Sequence, residues 1–132
     1  MIVVDTSVWV DFFRDTRSPE VELLADLLAQ DAGVALTDVV LTEILQGLRD
    51  DRQARRVERR MRAFDILRLQ DLEDFTRAAS LYRRARAQGV TIRRTLDCLI
   101  ASVCVREDLP LLHADADFDR LAACTPLRVV SG

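Results

Sequence analysis

The sequence contains no lysine; all 19 basic side chains among its 132 residues are arginine. It has one histidine, four glycines and three cysteines. Each shortage removes a class of chemistry. Without lysine there is no Gly-x-x-x-x-Gly-Lys loop to cradle the phosphates of a nucleotide. The same lack argues against receiver domains and aspartyl-phosphate phosphatases, which place aspartate at strand ends but set a lysine against the phosphoryl group. The glycines, at 33, 47, 89 and 132, cannot form a Gly-x-Gly-x-x-Gly dinucleotide loop. His113 and the cysteines at 98, 104 and 124 show no zinc-site spacing. His113 is read as a satisfied strand residue. Cys98 and Cys104 lie inside an apolar helical pattern, so buried, reduced thiols are expected and no disulfide framework. No Gly-x-Ser-x-Gly elbow supports a serine nucleophile. No apolar run approaches the ~20 residues of a membrane helix. The N-terminus has neither a basic leader nor a cleavage-site pattern. A cytoplasmic protein with no membrane association is expected.

What is present is the composition of a globular protein, 49% apolar and 31% charged. The length suits a single domain over residues 1–132. The net charge of −3 hides an uneven distribution. Residues 1–48 hold nine acids and two arginines, whereas residues 49–95 hold fourteen arginines and seven acids. A middle segment of net charge +7 suits a polyanion or an acidic protein partner, the alternative being a solvated helix face.

Hydrophobic periodicity divides the chain into alternating elements. "MIVV" reads as a short buried strand, and "GVALT", "DILRL", "LPLLHA" and "LRVV" as further short strands. Between them run helical patterns. "TSVWVDFF" starts on a hydroxyl suited to capping. "PEVELLADLLAQ" carries Pro19 in its first turn. "DVVLTEILQGL" has a stripe of Val40, Leu41, Ile44, Leu45 and Leu48. Residues 50–64 form an arginine-covered helix with a thin apolar line, which makes it the least buried element. Further helices cover 71–89, 95–108 and 115–123, and 90–94 is a loop or short extension. Short strands alternating with helices imply an α/β fold, a mostly parallel sheet with helices on both faces.

Within that frame several carboxylates stand out by position. Asp5 ends the first strand and Asp115 follows "LPLLHA". Ligands of open α/β sheets bind beyond the carboxyl ends of the strands. Asp97 opens the helix "LDCLIASVCV", which is apolar on essentially every face. A charge buried there is costly unless paired or bound to a cation; the alternative is a helix cap after Thr95. Glu43 lies about 130° from the centre of its helix stripe, with Gly47 one turn along leaving space beside it. Asp117 is a further candidate ligand, and Asp119 is expected to face solvent. Carboxylates crowded together need a compensating cation. Oxygen-only ligands favour Mg²⁺ or Mn²⁺ over zinc. Such a site suits metal-dependent hydrolysis of a phosphodiester.

"VVDTSVWVDFF", "TEILQGLR", "TLDCLIASVC" and "LLHADADFDRLA", in this order, resemble a PIN domain, and more closely the VapC toxins of bacterial type II toxin–antitoxin pairs. The resemblance spans the chain. It implies a three-layer α/β/α sandwich and a magnesium-dependent endoribonuclease that hydrolyses RNA with metal-activated water, leaving a 5′-phosphate. Its acids match Asp5, Glu43, Asp97 and Asp115, with Asp5, Asp97 and Asp115 as metal ligands and Asp117 as an occasional further one. Thr6 or Ser7 matches a hydroxyl that orients the first aspartate, and His113 stands where the family usually has a hydroxyl. An antitoxin partner, a homodimer and toxin–antitoxin hetero-oligomers are implied as well. Two other readings are carried alongside: a catalytically inactive RNA- or antitoxin-binding module, and a metal-dependent phosphatase of small substrates.

Overall fold

The computed structural model describes residues 1–130. Five strands form one sheet: β1 (Ile2–Val4), β2 (Val34–Thr37), β3 (Asp65–Leu67), β4 (Leu111–Leu112) and β5 (Val129–Val130). Their order is β3-β2-β1-β4-β5, and every pairing is parallel. Parallel neighbours need crossovers. The helices supply them: α1 (Thr6–Phe13) and α2 (Pro19–Ala29), then α3 (Asp38–Gln46) and α4 (Asp51–Met61), then α5 (Leu72–Ala87) and α6 (Thr95–Glu107), and finally α7 (Ala116–Cys124). The sheet is thus the middle layer of an α/β/α sandwich.

From β1 the chain steps outward to β2 and β3, then returns across β1 to β4 and β5. Right-handed crossovers running in opposite directions land on opposite faces. The helix contacts follow suit: α1 packs on α2 and α3, while α5 packs on α6 and α7. The reversal opens a crevice at the carboxyl ends of β1 and β4. There α3 of one layer meets α6 of the other.

The core explains the short strands. Val3, Val4, Ala35, Leu36, Leu111 and Leu112 are fully buried, as expected for strands covered on both faces. α6 buries Asp97, Cys98, Ile100, Ala101, Ser102, Val103 and Cys104, confirming it as a central helix. α4 buries only Met61 outright. α5 stops as the sequence suggests: Gly89 has φ +80°, a left-handed conformation that suits glycine. Burial pushes the thiols of Cys98 and Cys104 up to about 11 and about 12, so both stay protonated at neutral pH.

Two sequence expectations need correction. The strand expected through Ala114 ends at Leu112, so Asp115 stands three residues beyond it. The α3 stripe is also rotated: Val39, Val40, Glu43 and Ile44 are its buried residues, whereas Leu41 and Leu45 are half-buried. α3 packs against α1, α4 and α6 as well as β2, so a single-stripe reading understates how much of it is covered.

A buried ionic knot fastens α5 to α6 on the other side of the sheet. Asp74 is 1% exposed. Its Oδ2 accepts the backbone N–H of Gln70 at 2.7 Å and Nη1 of Arg106 at 2.5 Å; its Oδ1 accepts Nη1 of Arg77 at 2.8 Å. Ser102 Oγ donates to the Asp74 carbonyl at 2.7 Å, and Arg106 Nη2 donates to the Arg68 carbonyl at 3.0 Å. Burial by itself raises the Asp74 carboxyl, but the Gln70 N–H and the two guanidiniums outweigh it and hold the group below the usual carboxylate range.

Candidate active site

Asp5 leaves β1 and caps α1. Its backbone is extended (φ −76°, ψ 159°), and its Oδ2 accepts the Ser7 N–H at 3.1 Å and the Ser7 hydroxyl at 2.6 Å. The same Ser7 Oγ accepts the Ala114 N–H at 3.0 Å, and the Asp5 N–H donates to the Leu112 carbonyl at 2.9 Å. One hydroxyl therefore locks the end of β1 to the segment that carries Asp115. Of the two hydroxyls singled out in the sequence, Ser7 holds Asp5, while Thr6 Oγ1 donates to Glu43 Oε1 at 2.8 Å.

Asp97 reaches the same crevice from α6. It is fully buried. The cap reading fails for it: the α6 N-cap is Arg94, which makes no side-chain capping bond, and Asp97 is the third residue inside the helix. Arg94 Nη2 donates to Asp97 Oδ1 at 2.8 Å and lies 3.0 Å from Glu43 Oε2. Glu43, at 8% exposure, is an interior residue rather than a solvated one.

Asp115 caps α7, its Oδ1 accepting the Asp117 N–H at 3.0 Å, and remains 26% exposed. His113 Nδ1 accepts the Asp115 N–H at 3.1 Å, which leaves Nε2 to donate to Asp119 Oδ1, also at 3.1 Å. His113 is thus a buried, satisfied residue, and Asp119 is mostly exposed. Asp117 is buried with both oxygens engaged. Oδ2 accepts the Arg93 backbone N–H (3.3 Å) and Nε (3.2 Å), and Oδ1 accepts Nη1 of Arg120 at 2.6 Å. Burial raises its carboxyl, yet these donors prevail and hold it below the ordinary range.

Asp5, Glu43, Asp97 and Asp115 draw together around one crevice. Burial pushes the carboxyls of Asp5 and Asp97 up; Ser7 pulls Asp5 and Arg94 pulls Asp97 back down, while negative neighbours raise them, Asp97 and Glu43 around Asp5, Asp115 and Glu43 around Asp97. Two oxygens, Asp5 Oδ1 and Asp97 Oδ2, are buried without any hydrogen-bond partner. Unpaired buried carboxylate oxygens are rare because desolvation is uncompensated. Among the described residues no three acid, histidine or cysteine side chains form a ready-made cation cage. A cleft of about 670 Å³ opens beside Asp5 and Asp115 and is lined by Ser7, Arg93 and Arg94 among others. A second cleft runs from Glu43 past Gly47 to Gln53, Arg56 and Arg60 on α4. Arg93 and Arg94 belong to the basic segment that the sequence marked for a polyanion, whereas Arg120 lies outside it and was missed. The available signal was spacing: Arg94–Asp97 and Asp117–Arg120 are both i,i+3 pairs.

Comparison with known proteins places the chain in a family. Residues 2–123 match the PIN domain. VapC ribonuclease Mb1587 of Mycobacterium bovis and Ribonuclease VapC11 of Mycobacterium tuberculosis are each 39% identical over 132 residues, covering 99% of this chain and 98% of theirs. In three dimensions the fold is similar to a chain of VapBC2 from Rickettsia felis, solved bound to a DNA fragment from its promoter. That likeness has a TM-score of 0.78 at 19% identity and covers 100% of this chain and 99% of the other. On the strength of the sequence matches, the chain belongs to the PIN-domain family and, within it, to the VapC ribonucleases.

Proposed function

We propose that this chain is an endoribonuclease toxin of a toxin–antitoxin pair, dependent on Mg²⁺ with Mn²⁺ able to substitute, and that it acts in the cytoplasm. The observation that carries this reading is the pair of buried, unpartnered oxygens, Asp5 Oδ1 and Asp97 Oδ2, at the crevice of the sheet. Their chemistry fits a hard divalent cation, since every donor offered is a carboxylate oxygen. Asp5, Asp97 and Asp115 would hold the ion, and Glu43 adds a fourth negative charge. When bound, such an ion acidifies water and stabilises the departing oxygen of a phosphodiester. The chain's own part is placement. Ser7 fixes the Asp5 carboxylate, Thr6 fixes Glu43, and the buried α6 fixes Asp97. The names of the 39%-identical relatives support RNA as the substrate, and the VapBC complexes among the structural neighbours support an antitoxin partner.

Purified protein with Mg²⁺ is expected to cut RNA, to stop when the metal is chelated, and to lose the activity on Asp97→Ala. That variant also controls for contaminating nuclease. Cleavage that survives Asp97→Ala would sink the proposal. Turnover of a phosphomonoester but not RNA indicates the phosphatase reading, and tight RNA binding without cleavage in any divalent metal indicates a binding module.

Arg93 and Arg120 stand beside Asp115 with 73% and 52% of their side chains exposed, both anchored on Asp117. They are placed to hold backbone phosphates next to the acids. The double variant Arg93→Gln/Arg120→Gln is expected to raise KM with little change in kcat. The slope of log affinity against log salt should fall by about 1.4, or ~0.7 per phosphate contact on single-stranded RNA. Binding of uncut RNA without divalent metal measures it.

A further inference from the structure

The acid pocket already holds a cation that belongs to the chain. Arg94 bridges Asp97 Oδ1 and Glu43 Oε2 through a single nitrogen, at 2.8 and 3.0 Å. It satisfies one oxygen of Asp97 and leaves the other, Oδ2, without a partner, along with Asp5 Oδ1. The guanidinium therefore balances part of the pocket's charge and leaves bare the oxygens suited to a second cation. Its own exposure differs from that of its partners. The Arg94 side chain is 50% exposed, whereas those of Glu43 and Asp97 are 5% and 1% exposed. Its backbone neighbour is anchored, since the Arg93 N–H is bonded to the buried Asp117. Side-chain rotation alone can thus carry the guanidinium out of the pocket while the loop stays in place. Arg94 occupies the N-cap position of α6, but its side chain contributes no capping bond there.

We propose that Arg94 is the pocket's resident counter-ion, which a divalent cation displaces from Asp97 and Glu43 toward the cleft mouth, where it meets the phosphodiester as a positioning residue. This rests on the reading of the acids as a cation site. The physical basis is competition: two positive ions drawing on the same carboxylates repel each other, and the weaker ligand geometry yields. The mobile partner is the half-exposed one. Once displaced, a planar guanidinium beside the acids is suited to a phosphate oxygen.

The test is Mn²⁺ binding to the intact protein, followed by calorimetry and manganese spin resonance, without RNA. Arg94→Gln is expected to bind Mn²⁺ about tenfold more tightly, ~1.4 kcal/mol, while raising KM for RNA. Arg94→Lys, which keeps the charge, should bring the metal affinity back toward that of the parent chain. A residue that only props up the fold would weaken metal binding or leave it unchanged. Equal or weaker Mn²⁺ binding by Arg94→Gln overturns the inference and leaves the nuclease reading standing; no Mn²⁺ binding by either protein overturns both. A second measurement needs no variant. The side-chain Nε–H resonance of Arg94 in the parent protein should shift on adding Mg²⁺ as its ion pairs open, and a resonance that does not respond overturns the inference independently.

Discussion

Asp5→Asn is expected to cost RNA cleavage more than about a hundredfold, the upper end of what loss of a residue merely supporting a metal ligand costs. The fold should survive. Asparagine keeps an oxygen to accept from the Ser7 N–H and hydroxyl, so the turn from β1 into α1 retains its cap. The substitution also removes a charge from a position that is 2% exposed and crowded by Asp97 and Glu43. In metal-free buffer the variant should therefore melt at a higher temperature than the parent, because a carboxylate that resists ionisation is a burden on the folded state. With Mg²⁺ added the order should reverse, since only the parent gains binding energy from the ion. Calorimetric melting with and without Mg²⁺, alongside cleavage assays, checks both halves. Retained cleavage would remove Asp5 from the site.

Asp74→Ala should have the largest effect on stability, about 3–5 kcal/mol. The mutation strands Arg106, only 16% exposed, and releases the Gln70 N–H and Arg77 at once. Urea denaturation should show a lower midpoint at an unchanged slope. The effect depends on pH with a definite sign. Because the folded protein holds this carboxyl below its usual range, the stabilisation is complete above the unfolded value of about 3.9 and is lost as pH falls through the depressed folded one. The gap between parent and variant should accordingly be full at neutral pH and close below about pH 4.

These two aspartates mark what was legible in the sequence and what was not. Asp5 could be read because a buried strand ending in an acid is unusual, and Asp97 because its helix is apolar on every face. Asp74 was hidden: an acid in the first turn of an amphipathic helix is ordinary, and Arg106 lies 32 residues away. Glu43 was placed off its stripe because a 3.6-residue period assumes one covered face, whereas α3 is packed on several sides. The end of "LPLLHA" was misjudged for a related reason. His113 and Ala114 have strand-like neighbours, but their bonds go to Asp119, Asp115 and Ser7 instead of a ladder. The alternation of elements gave away the α/β class, since it depends on composition averaged over whole segments. The pairing of individual arginines with individual acids depends on which segments meet, and one-dimensional spacing carries that only for i,i+3 neighbours.

The Ser7–Ala114 hydrogen bond spans 107 positions of sequence. Together with the pairing of β1 to β4, it means that the first strand made is completed by nearly the last. A growing chain on the ribosome that has not yet delivered Leu112 has Asp5 but no carbonyl to seat it, no Ala114 to fix Ser7, and no Asp115. A chain whose synthesis stops short of this segment carries Asp5 without the contacts that seat it, so an assembled crevice comes only when synthesis is all but finished.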